Sequence, residues 1–128
     1  MTTIWIVDDY IDSAEIMAEV LEVECGFDTT VFTKGRDLIK ALDANTPPDL
    51  VILDWRLGIG DFSGYDIVVM MRERGFEIPL IVLSGMGIEF TALAPVYRLD
   101  YKGNVCWLEK SLFYEKLVSR VNKMLDLS

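Results

Sequence analysis

Short continuous apolar runs alternate along this chain with stretches whose apolar residues recur at helical spacing. Thr3-Ile4-Trp5-Ile6-Val7 is β-branched and aromatic, predicts a buried strand, and stops at Asp8-Asp9. Asp12 and Glu15 then have the spacing of a capping box, Ala14, Met17, Ala18 and Leu21 form a helical stripe, and Gly26 supplies a stop. Phe27 to Phe32 predicts a second strand. Thr33 is placed to cap a second helix carrying Leu38, Ile39 and Leu42, which Asn45-Thr46-Pro47-Pro48 would end. Leu50 to Leu53 is a third apolar run and ends abruptly in Asp54. Residues 56–64 hold three glycines and predict a loop, after which Tyr65 to Arg74 predicts a helix stopped by Gly75. Ile78 to Leu83 predicts a fourth strand, with Pro79 tolerated at its start, and it ends in Ser84-Gly85. Asn104 to Leu108 predicts a fifth, ending in Glu109-Lys110. Ser111 is placed to cap a last helix with Leu117, Val121, Met124 and Leu125 in a stripe. Between Gly85 and Gly103 the pattern breaks at Gly87 and Pro95. One short helix over Ile88 to Leu93 and a turn or helix from Pro95 are expected there.

Strands that are continuously apolar and alternate with helices predict an α/β fold: a doubly wound parallel sheet covered on both faces. All its strands point one way, so their carboxyl ends share one edge, where ligands bind at the switch point of strand order. The residues at those ends are Asp8, Asp9, Asp54, Ser84 and Lys110. Any one of them alone reads as an ordinary polar residue at a strand end. Three carboxylates, a hydroxyl and an ammonium at one edge form a complementary set.

Three clustered carboxylates repel one another, and a hard divalent cation resolves that repulsion. Mg²⁺ is the expected cofactor, with Asp9 and Asp54 as direct ligands and Asp8 acting through water. The backbone carbonyl of Arg56, two residues past Asp54, would add a further oxygen. A metal, a nucleophilic carboxylate, a hydroxyl donor and a lysine suit phosphoryl transfer, with Asp54 as covalent nucleophile and Lys110 neutralising phosphoryl charge. Ser84 is placed to hydrogen-bond the attached group.

Composition narrows the classes. The chain has 128 residues, 52% of them apolar, which suits one domain spanning 1–128. Its formal charge of -9 argues against binding nucleic acid or an anionic membrane through a basic face, and reads either as solubility or as part of an acidic site. The absence of histidine excludes histidine acid/base work, histidine metal sites and a phosphohistidine carrier. Cys25 and Cys106 are expected to be buried free thiols. No signal peptide is visible, and no apolar run reaches the roughly 18 residues of a membrane span, so a cytoplasmic protein is expected.

These residues resemble a two-component response-regulator receiver domain over nearly the whole chain, from Ile4 to about Leu125. The resemblance rests on Val7-Asp8-Asp9, Pro48-Asp49-Leu50-Val51-Ile52-Leu53-Asp54, Gly64, Ile78-Pro79-Leu80-Ile81-Val82-Leu83-Ser84 and Trp107-Leu108-Glu109-Lys110. It implies a flavodoxin-like strand order 2-1-3-4-5 with about five helices, the region of the fourth being irregular. It also implies that Asp54 accepts a phosphoryl group from a sensor histidine kinase or histidine phosphotransfer protein. Asp8 and Asp9 would hold Mg²⁺, and Ser84 and Lys110 would sense the phosphoryl group. Trp107 matches the aromatic switch position, and reads equally as a strand residue packed on the last helix. No output domain is expected after the last helix, and a stand-alone regulator and a domain of a longer protein both stand, as do monomer and dimer.

The chain departs from the family pattern in places. Gly58 stands where a proline is common, and the loop to Gly64 is about two residues longer. Arg56 and Met86 occupy the positions that tune dephosphorylation; Arg56 reads either as a screen against water or as a solvated loop residue. Ser111 follows the lysine where proline is usual, and a cis bond at a non-proline costs roughly 2.5–4 kcal/mol. The stretch from Gly85 to Gly103 is longer than usual. Two other readings compete. A receiver-like docking scaffold is opposed by the intact acidic set. A phosphatase with an Asp nucleophile is opposed by Arg56, which stands where such enzymes carry a second Asp.

Overall fold

The computed structural model describes residues 1–55, 62–84, 105–109 and 113–125. Five parallel strands form one sheet in the order β2-β1-β3-β4-β5. They are β1 (Thr3–Val7), β2 (Asp28–Phe32), β3 (Leu50–Asp54), β4 (Leu80–Ser84) and β5 (Val105–Glu109). The helices among the described residues are α1 (Ile11–Cys25), α2 (Gly35–Ala44), α3 (Gly64–Glu73) and α4 (Phe113–Met124). The helix expected over Ile88 to Leu93 and the turn from Pro95 lie outside the described residues.

Side chains alternate across each strand, so the continuous apolar runs feed two cores at once. Trp5, Val7, Val51, Leu53, Leu80 and Val82 point to one face, where Leu38, Ile39 and Leu42 of α2 and Ile67, Val68 and Met71 of α3 pack. Ile4, Ile6, Leu50, Ile52, Ile81 and Leu83 point to the other, under Ala14, Met17, Ala18 and Leu21 of α1 and Leu117 and Val121 of α4. All five residues of β3 are buried, as expected of the strand at the centre of a doubly covered sheet.

Some local expectations needed correction. The Asp12–Glu15 capping box does not form: the residue before α1 is Tyr10, whose own side chain makes no capping bond. Thr33 does not cap α2 either; Lys34 takes the position, also without a side-chain bond. The strands predicted to start at Phe27 and Ile78 begin at Asp28 and Leu80. At β4 the reason is Pro79, which has no N–H to donate and enters the ladder only by accepting from Val51 N–H at 3.0 Å. Both glycine stops take the expected form: Gly26 (φ +70°) and Gly75 (φ +83°) adopt the left-handed conformation that ends a helix. Cys25 and Cys106 are free but half-buried rather than buried. Burial, and secondarily Glu24, pushes the Cys25 thiol up from its ordinary value. No helix among the described residues is long and apolar enough to cross a membrane.

Candidate functional site

Strand register brings the carboxylates together. Val7 of β1 pairs with Leu53 of β3, so the next residues, Asp8 and Asp54, leave the sheet side by side. Asp8 is fully buried and Asp54 is 4% exposed, whereas Asp9 is open to solvent. One carboxylate oxygen from each of the three lies within 4.8 Å of the other two. Buried carboxylates are costly unless something compensates their charge, and two of them beside a third concentrate negative potential in one small volume.

The donor set fits a hard cation. All the donors are oxygens, which suit Mg²⁺ or Ca²⁺. Three carboxylate oxygens within 4.8 Å of one another, two of them from buried residues, form a donor set that such an ion would fit. Asp8, Asp9 and Asp54 are therefore the residues that would hold one. The ion would neutralise their mutual repulsion.

Three hydrogen bonds with a backbone partner hold Asp8 and Trp55 beside this cluster, and none is expected from the sequence. Asp8 Oδ1 accepts the Tyr10 backbone N–H at 2.9 Å, so the carboxylate at the end of β1 also holds the entry to α1. It does from the preceding strand what the N3 carboxylate of a capping box does from inside a helix. On the far side of Asp54, Trp55 donates its N–H to Leu83 O at 2.9 Å and accepts from Gly64 N–H at 3.1 Å. Gly64 opens α3 behind a capping box: Ser63 Oγ accepts Asp66 N–H and the Asp66 carboxylate accepts Ser63 N–H, both at 3.1 Å. The Ser63-x-x-Asp66 spacing is the sequence signal for that box, set at the end of a glycine-rich stretch that reads as loop.

The remaining predicted site residues divide into two groups. Ser84 is the last residue of β4, one step beyond Leu83, which pairs with Asp54, and is itself in register with Glu109 of β5. Trp107 is the middle residue of β5, in register with Val82. Lys110, Arg56 with its backbone carbonyl, Gly58, Met86 and Ser111 lie outside the described residues.

Known proteins resemble this arrangement. Response regulator SaeR from Staphylococcus epidermidis is 33% identical over 125 residues, which cover 98% of this chain and 51% of that protein. SaeR from Staphylococcus aureus is 31% identical over the same share of each. The chain thus spans about half the length of these curated relatives. Among solved structures, the receiver domain of Francisella response regulator 1452 superposes with a TM-score of 0.80 at 23% identity, covering 98% of both chains. Response regulator TrrA from Thermotoga maritima, solved with Mg²⁺ and BeF, superposes with a TM-score of 0.78 at 23% identity, covering 97% of this chain and 99% of its own. The family model of the response regulator receiver domain matches residues 4–122. With that match, a sheet in the order β2-β1-β3-β4-β5 and an acidic cluster at its carboxyl edge, the chain belongs to the response regulator receiver domain family, whose general function is phosphoryl acceptance in two-component signalling.

Proposed function

We propose that this receiver accepts a phosphoryl group on the carboxylate of Asp54, with Mg²⁺ held by Asp8, Asp9, Asp54 and the backbone carbonyl of Arg56, and that this switches binding of a downstream partner. The observation that carries the reading is the meeting of Asp8, Asp9 and Asp54 oxygens within 4.8 Å, with Asp54 buried at the end of the central strand. A buried carboxylate held in one place is a prepared nucleophile, because little reorganisation remains when it reacts. An Asp54 oxygen attacks phosphorus, the P–N bond of a phosphohistidine breaks, an acyl phosphate forms, and the released imidazole takes a proton from solvent. Bound Mg²⁺ supplies charge neutralisation at the phosphoryl oxygens. Lys110 would add a second positive charge, and Ser84 would hydrogen-bond the attached group. With no histidine of its own, the chain cannot supply the donor, so the phosphoryl group comes from a sensor histidine kinase or a histidine phosphotransfer protein. The site of action is the cytoplasm, and the chain acts as one receiver domain over residues 1–128. The charge of -9 opposes direct nucleic-acid contact through a basic face of this chain.

The switch is a population shift between two conformers, with Ser84 and Trp107 as its moving parts. The TrrA structure, solved with Mg²⁺ and BeF, supports the metal assignment by analogy of fold.

Acetyl phosphate and Mg²⁺ test the reading: intact-mass analysis should show one added phosphoryl group, and Mg²⁺ alone should quench tryptophan fluorescence through Trp55, the neighbour of Asp54. No mass gain with Mg²⁺ present would contradict it. Sustained turnover of a phosphomonoester would favour the phosphatase reading instead.

A further inference from the structure

The first residue of α3 lies hard against the peptide that follows the acceptor. A Cβ built on Gly64 would stand 2.9 Å from Trp55 Cα, 2.9 Å from Trp55 O and 2.9 Å from Trp55 Cε3. Gly64 does not need its glycine for backbone freedom, since the glycines with positive φ among the described residues are Gly26 and Gly75. Alanine is the better helix former, so Trp55 is what stands against a side chain there. Two of the three close atoms are backbone and cannot swing aside. Carbon atoms prefer separations of roughly 3.5–4.0 Å, so a methyl group would drive the Trp55 peptide back by about half an ångström or more.

That peptide has little room to absorb the push. It is held on the β4 side by Trp55 N–H donating to Leu83 O at 2.9 Å, and on the α3 side by Trp55 O accepting from Gly64 N–H at 3.1 Å. The residue immediately before it is Asp54, already packed to 4% exposure beside Asp8. Displacement of the peptide therefore carries over to the carboxylate.

We infer that Gly64 is a positioning residue for the acceptor: by letting α3 seat directly on Trp55, it sets where the Asp54 carboxylate stands relative to Asp8 and Asp9. The inference rests on the proposed role of those three carboxylates as a cation and phosphoryl site. Gly64 touches neither cation nor phosphoryl group and acts only through Trp55.

The test compares Gly64→Ala with Ser63→Ala in the full chain, using calorimetric titration with Mg²⁺ alone and circular dichroism to follow the fold. Ser63→Ala weakens the same helix end by removing its cap without pushing on Trp55. Gly64→Ala should raise the Mg²⁺ dissociation constant about tenfold or more, as loss of a supporting contact behind a metal ligand does. Ser63→Ala should leave it within about twofold of wild type, since cap loss is a stability effect. Equal shifts in the two variants, or an unchanged constant in folded Gly64→Ala, would overturn the inference. The double variant Trp55→Ala/Gly64→Ala keeps the test open if Gly64→Ala alone destabilises the chain: the backbone contacts persist, so weakened binding should persist, and recovery to wild-type affinity would overturn the backbone route. Wild-type chain that neither binds Mg²⁺ nor gains a phosphoryl group would overturn the functional reading and this inference together. Wild-type binding with an unaffected Gly64→Ala would overturn the inference alone.

Discussion

Asp8 has two tasks that pull differently on substitution. Its carboxylate adds to the repulsion among three acids, and it also holds Tyr10 N–H at the entry to α1. An asparagine oxygen can still accept that hydrogen bond while removing the charge. Two unit charges a few ångströms apart at a partly buried site repel by a few kcal/mol, some of which water and backbone dipoles already offset. Asp8→Asn should therefore raise the thermal midpoint of the metal-free protein by a few degrees, on the order of 1 kcal/mol, while weakening Mg²⁺ binding. Differential scanning calorimetry in EDTA and a Mg²⁺ titration check the two halves, and a lowered metal-free midpoint would contradict the first. At this scale the acids were legible because a carboxylate that interrupts an apolar run stands out. The contacts supporting them were not. The donor on the Asp8 carboxylate is the Tyr10 backbone N–H and the donor on Trp55 O is the Gly64 backbone N–H, and which residue supplies a backbone group leaves almost no mark on the sequence.

Among the helix starts of α1, α2 and α3, that of α3 is the best defined. Its capping box satisfies the helix N-terminus through Ser63 and Asp66, so Ser63→Ala should cost about 1 kcal/mol in urea unfolding. The ion pair joining α2 to α3, Arg74 Nε to Asp43 Oδ1 at 2.9 Å, is a different case. Arg74 is 34% exposed and Asp43 54% exposed, so water and salt screen the pair, and Asp43→Ala should cost under about 1 kcal/mol in the same assay. A larger loss for Asp43→Ala than for Ser63→Ala would reverse that ranking. Helix ends set by a special backbone conformation, Gly26 and Gly75, could be read from the chain because glycine is nearly the only residue that adopts it cheaply. Helix starts at Tyr10 and Lys34 could not, because neither residue caps through its side chain. There, tertiary packing of the apolar face decided the boundary against the Asp12 and Thr33 signals.

Across the whole molecule, one sheet serves two apolar cores and one polar edge. The parallel arrangement was legible because strands buried on both faces show no alternation, and five such runs separated by helical stripes leave few other architectures. The same arrangement concentrates the strand-end acids, whose mutual repulsion a bound cation would relieve. Ligand that binds only the folded state stabilises it by mass action, about 2.7 kcal/mol at a hundredfold excess over its dissociation constant. Mg²⁺ should thus raise the thermal midpoint in a concentration-dependent way, and the shift should be reduced in Asp8→Asn. An equal Mg²⁺ shift in wild type and that variant would place the ion elsewhere.

Asp54 as the phosphoryl acceptor is tested most directly by intact-mass analysis of wild type and Asp54→Ala, side by side, after incubation with acetyl phosphate and Mg²⁺. The account predicts one added phosphoryl group on wild type, lost on chelation of Mg²⁺ before the donor is added, and none on Asp54→Ala. An equal gain in Asp54→Ala, or no gain in wild type, would contradict it.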